Sequence, residues 1–150
     1  MIIFTIGYQG ATQAEVIATL SAAGVELLVD VRAVPLSRRP GFSKNVLANG
    51  LREAGIGYIH LKALGTPPEG REAARKHDHV RLARIYAGQL ALPEAHAQMA
   101  QLRSLAAGCP TALLCFERKP SGCHRSLLVA AALPEAAVQD LYVDVGSCTF

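Results

Sequence analysis

Apolar residues follow two rhythms along this chain. Short runs at residues 2–6, 25–31, 57–61, 110–114 and 138–145 read as strands. Residues 25–31 are nearly all apolar, as a central parallel strand buried on both faces requires. Between the runs, apolar positions recur at helical spacing. Val16, Ile17 and Leu20 give one stripe, and Val46, Leu47 and Leu51 a second inward face. Ala95, Met99, Leu102 and Leu105 give another. Thr12 with Glu15 three residues on fits a capping box, and Gly24 ends that helix. Ser43 suits the cap of a helix through Ala54, with Gly55 as its stop. Helices near residues 72–90 and 94–106, parted around Pro93, and one over residues 126–133 complete the pattern.

The order β-α-β-α-β-α-α-β-α-β argues for a single three-layer α/β domain spanning residues 1–150. Its sheet is expected to be mostly parallel, with helices on both faces. Right-handed crossovers would gather the carboxyl ends of the strands along one edge.

Composition narrows the class. The chain is 51% hydrophobic, yet no run approaches the ~20 residues of a membrane helix. The opening Met1-Ile2-Ile3-Phe4-Thr5-Ile6 reads as a strand rather than a signal peptide, so a cytoplasmic protein with no membrane partner is expected. The irregular spacing of Cys109, Cys115, Cys123 and Cys148 does not suggest a disulfide framework. A net charge of +3 is too small to argue nucleic-acid binding by itself.

Chemistry concentrates late in the chain. The run ending at Cys115 passes into a polar loop broken by Pro120 and Gly122, then into Cys123-His124-Arg125 at a helix start. Strand, loop and helix in this order form the usual ligand edge of an open α/β sheet, and a helix start favours anions and thiolates. Tyr8, Asp30, Arg32, His60 and Glu117 also fall at or just after predicted strand ends. The basic, proline-containing segment 33–42 reads as an exposed functional loop carrying Arg38 and Arg39.

The chain resembles the bacterial and archaeal domain of unknown function 488 family. The resemblance runs from Thr5-Ile6-Gly7-Tyr8 through Leu27-Leu28-Val29-Asp30-Val31-Arg32 and Pro35-Leu36-Ser37-Arg38-Arg39-Pro40-Gly41-Phe42-Ser43-Lys44. It continues in Tyr58-Ile59-His60-Leu61 and Leu64-Gly65, and closes with Leu114-Cys115-Phe116-Glu117 and Cys123-His124-Arg125-Ser126-Leu127. It implies a compact α/β domain and supplies no reaction. Many members look like Gly-His where this sequence has Gly7-Tyr8, so no imidazole role is carried over there.

Several functions fit these residues. The first is an enzyme, or a binder, for a phosphorylated or nucleotide-like anion. Cys115 would be the nucleophile, activated by His124, Arg125 and the helix start. Glu117 or His60 would act as general acid or base, with Tyr8, Asp30, Arg32, Arg38, Cys123 and Arg125 around the substrate. A variant is sulfur transfer, because Leu27 to Arg32 looks like the early strand of rhodanese domains; the long spacing from Cys115 to Arg125 departs from that pattern. A metal site on Cys115, Cys123, His124 and His60 has the ligand types but not the paired spacing, and neighbouring Cys123 and His124 are expected to diverge. Without catalysis, the arginines could contact phosphates while Tyr8 and Phe42 stack on bases in a nucleic-acid or nucleotide module. The sequence names no cofactor.

Overall fold

The apolar runs become five parallel strands in the computed structural model, which describes residues 1–143. They are β1 (Ile2–Gly7), β2 (Leu27–Asp30), β3 (Gly57–His60), β4 (Thr111–Cys115) and β5 (Ala137–Leu141), in the sheet order β3-β2-β4-β1-β5. Helices α1 (Gln13–Ala22) and α2 (Lys44–Glu53) cover one face. Helices α4 (His79–Leu90), α5 (Pro93–Gly108) and α6 (Arg125–Ala132) cover the other, and α3 (Pro68–Arg75) packs beside α4. This is the three-layer α/β arrangement expected, with a sheet that is wholly parallel.

Burial explains the layering. Phe4 and Ile6 of β1 join Val16, Leu20, Leu47 and Leu51 in one apolar cluster. Ile3 turns to the other face, where Val29, Leu113, Tyr86, Leu102 and Leu128 form the second. Two clusters on opposite faces bury the paired strands between them, at roughly 25 cal/mol per Å² of apolar surface removed from water.

Several expected boundaries move. The run at 25–31 pairs only over Leu27–Asp30, because the chain then bends at the sheet edge to deliver Arg32. The helix expected over 72–90 is two: α3 ends at Arg75, His77 takes a left-handed φ of 56°, and Asp78 caps α4 by accepting from the Arg81 main-chain N–H. Ser43 stands at the N-cap of α2 but makes no cap bond there; its hydroxyl accepts from the Ser37 N–H instead. Val46 is exposed, since only Leu47 and Leu51 lie on the inward face. The last strand is Ala137–Leu141 rather than 138–145, and residues 144–150, Cys148 among them, lie outside the described residues. The capping box at Thr12 and Glu15 forms as read. Among the described residues, no helix is long and apolar enough to cross a membrane.

The topology makes one privileged place. β4 lies between β2 and β1, with Cys115 level with Gly7 and Leu114 level with Asp30. The chain leaves β4 towards α6 on one face, whereas it leaves β1 and β2 towards α1 and α2 on the other. Exits that part to opposite faces open a crevice at the carboxyl end of the sheet. Cys115 stands at its floor.

Candidate functional site: a thiol pair beneath two buried arginines

β2 ends in Asp30 and the chain turns so that Arg32 folds back on it. Arg32 Nε and Nη2 donate to the two Asp30 oxygens at 2.9 and 2.7 Å, and Arg32 Nη1 donates to the Phe42 carbonyl at 2.7 Å and to the Tyr8 hydroxyl at 3.2 Å. Tyr58 donates its hydroxyl to Asp30 at 2.5 Å. Asp30 is 0% exposed and Arg32 6%. Burial works against the Arg32 charge, but Asp30's hydrogen bonds and charge outweigh it and raise the guanidinium pKa. Burial, and then the bond to Asp30, likewise push the Tyr58 phenol up. Arg32 is thus a neutralised pair with one face towards the site. Asp30 thus holds Arg32 in place, and Tyr58 is its second partner.

Two histidines fasten this corner. A carbonyl only accepts, so His60 Nε2–H donates to the Arg32 carbonyl at 2.7 Å, and His124 Nε2–H donates to the Val31 carbonyl at 2.7 Å. His60 therefore holds the backbone of Arg32 from β3 and is not among the residues lining the cavity over the thiols. His124 is buried with Tyr86 edge-on to its ring, and its Nδ1 is left for other partners.

The sulfurs come from β4 and the start of α6. Cys115 Sγ and Cys123 Sγ lie 2.8 Å apart as free thiols. Arg125, 0% exposed, donates to Cys123 Sγ through Nε at 3.0 Å and through its main-chain N–H at 3.4 Å. Its Nη2 donates to the Glu117 carbonyl at 2.5 Å and to the Arg118 carbonyl at 3.4 Å, which ties down the loop between the cysteines. Among the described residues, Nη1 is the one buried side-chain nitrogen or oxygen with no hydrogen-bond partner. That loop also crosses the end of β1, where a Cβ at Gly7 would overlap the Glu117 carbonyl oxygen. Only a residue without a side chain fits there.

The two thiols differ. Burial pushes the Cys115 thiol up, and its hydrogen bond to Cys123 adds to this. Burial also disfavours a charge on Cys123, but the bonds from Cys115 and His124 and the charge of Arg125 overcome it and lower that thiol. Of the two, Cys123 is thus the lowered thiol and Cys115 the raised one, because the guanidinium donates to the sulfur on its own helix start. Glu117 is pushed up by burial and then by the negative charge on Cys123.

Tyr8, Arg32, Cys115, Glu117, Cys123 and His124 line one cavity of about 150 Å³. Arg125 lies behind Cys123. Arg38 is exposed on the 33–42 loop and does not reach this cavity. Thr66 and Arg71, unremarked in the sequence, complete its wall. Both come from the 64–75 region, where Gly65 packs against the Ala33 backbone, and Arg71 Nη1 donates to the Thr66 carbonyl at 2.9 Å. A second cavity of about 720 Å³ adjoins through Ala74 and Glu117 and carries Arg75, His77, His79, Arg118 and Lys119.

Two alternative readings change on this geometry. Tyr8 and Phe42 are buried and stacked on each other with centroids 4.4 Å apart, so neither presents a face for a base. Cys123 and His124 do not diverge: with Cys115 they offer ligand atoms within 4.8 Å of one another, a set suited to zinc or iron by type. His60 is not in that set, and Arg125 already supplies positive charge to Cys123.

Neither the curated proteins nor the solved structures yield a match to this sequence. A protein family does match, over residues 12–132, from the capping box of α1 to the end of the helix that follows the thiol pair. The chain belongs to that family, described as Domain of unknown function DUF488.

Proposed function

We propose that this protein is an enzyme that takes a small anionic substrate into the cavity over the thiol pair and attacks it with the Cys123 thiolate. The observation that carries the reading is the arginine-held sulfur: Arg125 Nε stands 3.0 Å from Cys123 Sγ at the floor of a cavity with Arg71 in its wall. The Asp30–Arg32 pair is internally neutral, so Arg71 supplies the cavity's excess positive charge, and Arg75, Arg118 and Lys119 extend it into the adjoining cavity. Glu117, held protonated more readily than a free carboxyl, suits a general acid, and His124 stands beside Cys123 as the proton carrier. Cys115 keeps its proton and donates towards Cys123. Tyr8 and Arg32 shape the wall, while His60 and Asp30 act through Arg32 as positioning residues.

Alkylation followed cysteine by cysteine, by peptide mass spectrometry across pH, tests this. Cys123 is expected to react with iodoacetamide well below pH ~8.5, the value of a free thiol. Relative to free cysteine, Cys123 should favour anionic iodoacetate over neutral iodoacetamide. Arg71→Ala should cut that preference about tenfold, the equivalent of about 1.4 kcal/mol. A Cys123 that stays inert until alkaline pH, or a reagent preference that Arg71→Ala leaves unchanged, overturns the reading.

A further inference from the structure

The thiol pair has a property that a nucleophile alone does not need. Cys123 is biased towards the thiolate and Cys115 towards the thiol, and their sulfurs are 2.8 Å apart, under 1 Å beyond the ~2.05 Å of a disulfide bond. A charged sulfur beside a protonated one is the pairing of an attacking and a resolving cysteine. We propose that Cys123 and Cys115 form a hydroperoxide-driven dithiol–disulfide couple that turns the anion site off and on. This rests on the reading of Cys123 as a reactive thiolate.

The Cys123 thiolate attacks one oxygen of a hydroperoxide. The O–O bond breaks, the other oxygen takes a proton from the Glu117 carboxyl and leaves as alcohol or water, and Cys123 carries a sulfenic acid. Cys115 sulfur then displaces that oxygen, which leaves as water with the Cys115 proton. The two sulfurs lose two electrons in all, and the peroxide gains them.

A small hydroperoxide fits: the cavity's volume of about 150 Å³ is several times the ~30 Å³ share of a water molecule. Oxidation removes the Cys123 charge, so Arg125 loses its anionic partner and the nucleophile disappears. A small thiol would restore both. Cys109, half-buried at the end of α5, takes no part: its sulfur faces the Leu105 carbonyl and Thr111, at the opposite end of the sheet.

The test is to add hydrogen peroxide to the reduced protein, quench by alkylation, and map peptides without reduction. The expected product joins the Cys115 and Cys123 peptides with loss of two hydrogens, formed at least about tenfold faster than oxidation of Cys109. Dithiothreitol should reverse it. Cys115→Ser should stop at a Cys123 sulfenic acid captured by dimedone, and Cys123→Ser should give neither product. Wild-type protein in which Cys123 passes to the sulfinic acid, or stays reduced, without linkage to Cys115 overturns the couple. If Cys123 still alkylates at low pH in that experiment, the proposed nucleophile survives and only the couple falls. If it does not, both fall.

Discussion

Asp30 accepts hydrogen bonds from the Arg32 main chain, from two guanidinium nitrogens and from Tyr58, all without access to water. Its carboxylate is what makes a buried Arg32 tolerable. Asp30→Asn should cost about 3–5 kcal/mol, because it leaves the Arg32 charge buried and unpaired. Tyr58→Phe, which removes one bond to a charged group, should cost about 1.5–3 kcal/mol. Urea unfolding of both variants checks the ranking, and equal losses would mean that Arg32 finds another partner. The difference between the two sulfurs arises at this same scale. Both thiols lie beside Arg125, but only Cys123 accepts from its Nε, and no feature of residue type or spacing reveals that. The strand-end signal was enough to place Asp30, Arg32 and Cys115 at one edge. It could not rank the cysteines, because their difference arises from one side chain's direction within a packed loop.

At the scale of elements, the site depends on where helices stop. α3 and α4 read as one helix in sequence because the apolar positions Ala73, Leu82 and Tyr86 keep coming, and neither glycine nor proline intervenes. The available signal was Asp78, a cap residue followed by a new run. The break shapes the candidate site, since the α3 side supplies Arg71 to one cavity and the junction supplies His77 and His79 to the adjoining one. Asp78→Ala removes the bond to the Arg81 N–H and should cost about 1 kcal/mol, seen as a lower melting temperature. Thr66 and Arg71 were illegible for a related reason: they lie in the stretch with the weakest sequence signal and reach the site only because Gly65 lets that loop press on Ala33. Arg38 shows the converse. A basic residue in an exposed loop looks like a ligand contact, but Arg38 is exposed and is not among the residues lining the cavity.

For the whole molecule, the site leaves a mark on stability against pH. Glu117 is raised above its unfolded value, chiefly by burial. A raised group contributes stability that is fully present below the unfolded pKa, about 4.3, and is lost as pH rises through the folded value. Glu117→Gln keeps the shape without the charge. The variant should therefore match the wild type near pH 4 and be the more stable of the two near pH 7. Paired denaturant curves at both pH values check this, and a constant difference would mean that Glu117 titrates normally.

The strand order has a kinetic consequence. β1 and β2 follow each other in the chain yet never pair; β4, made some eighty residues after β2, fills the gap between them. Until it inserts, the first half of the protein has two strands waiting for a common neighbour, and contacts of such long sequence separation form slowly. Tyr8 and Arg32 follow the first two strands, whereas the sulfurs come with the strand that closes the sheet and the helix after it. The thiol pair is thus brought together only as the sheet closes.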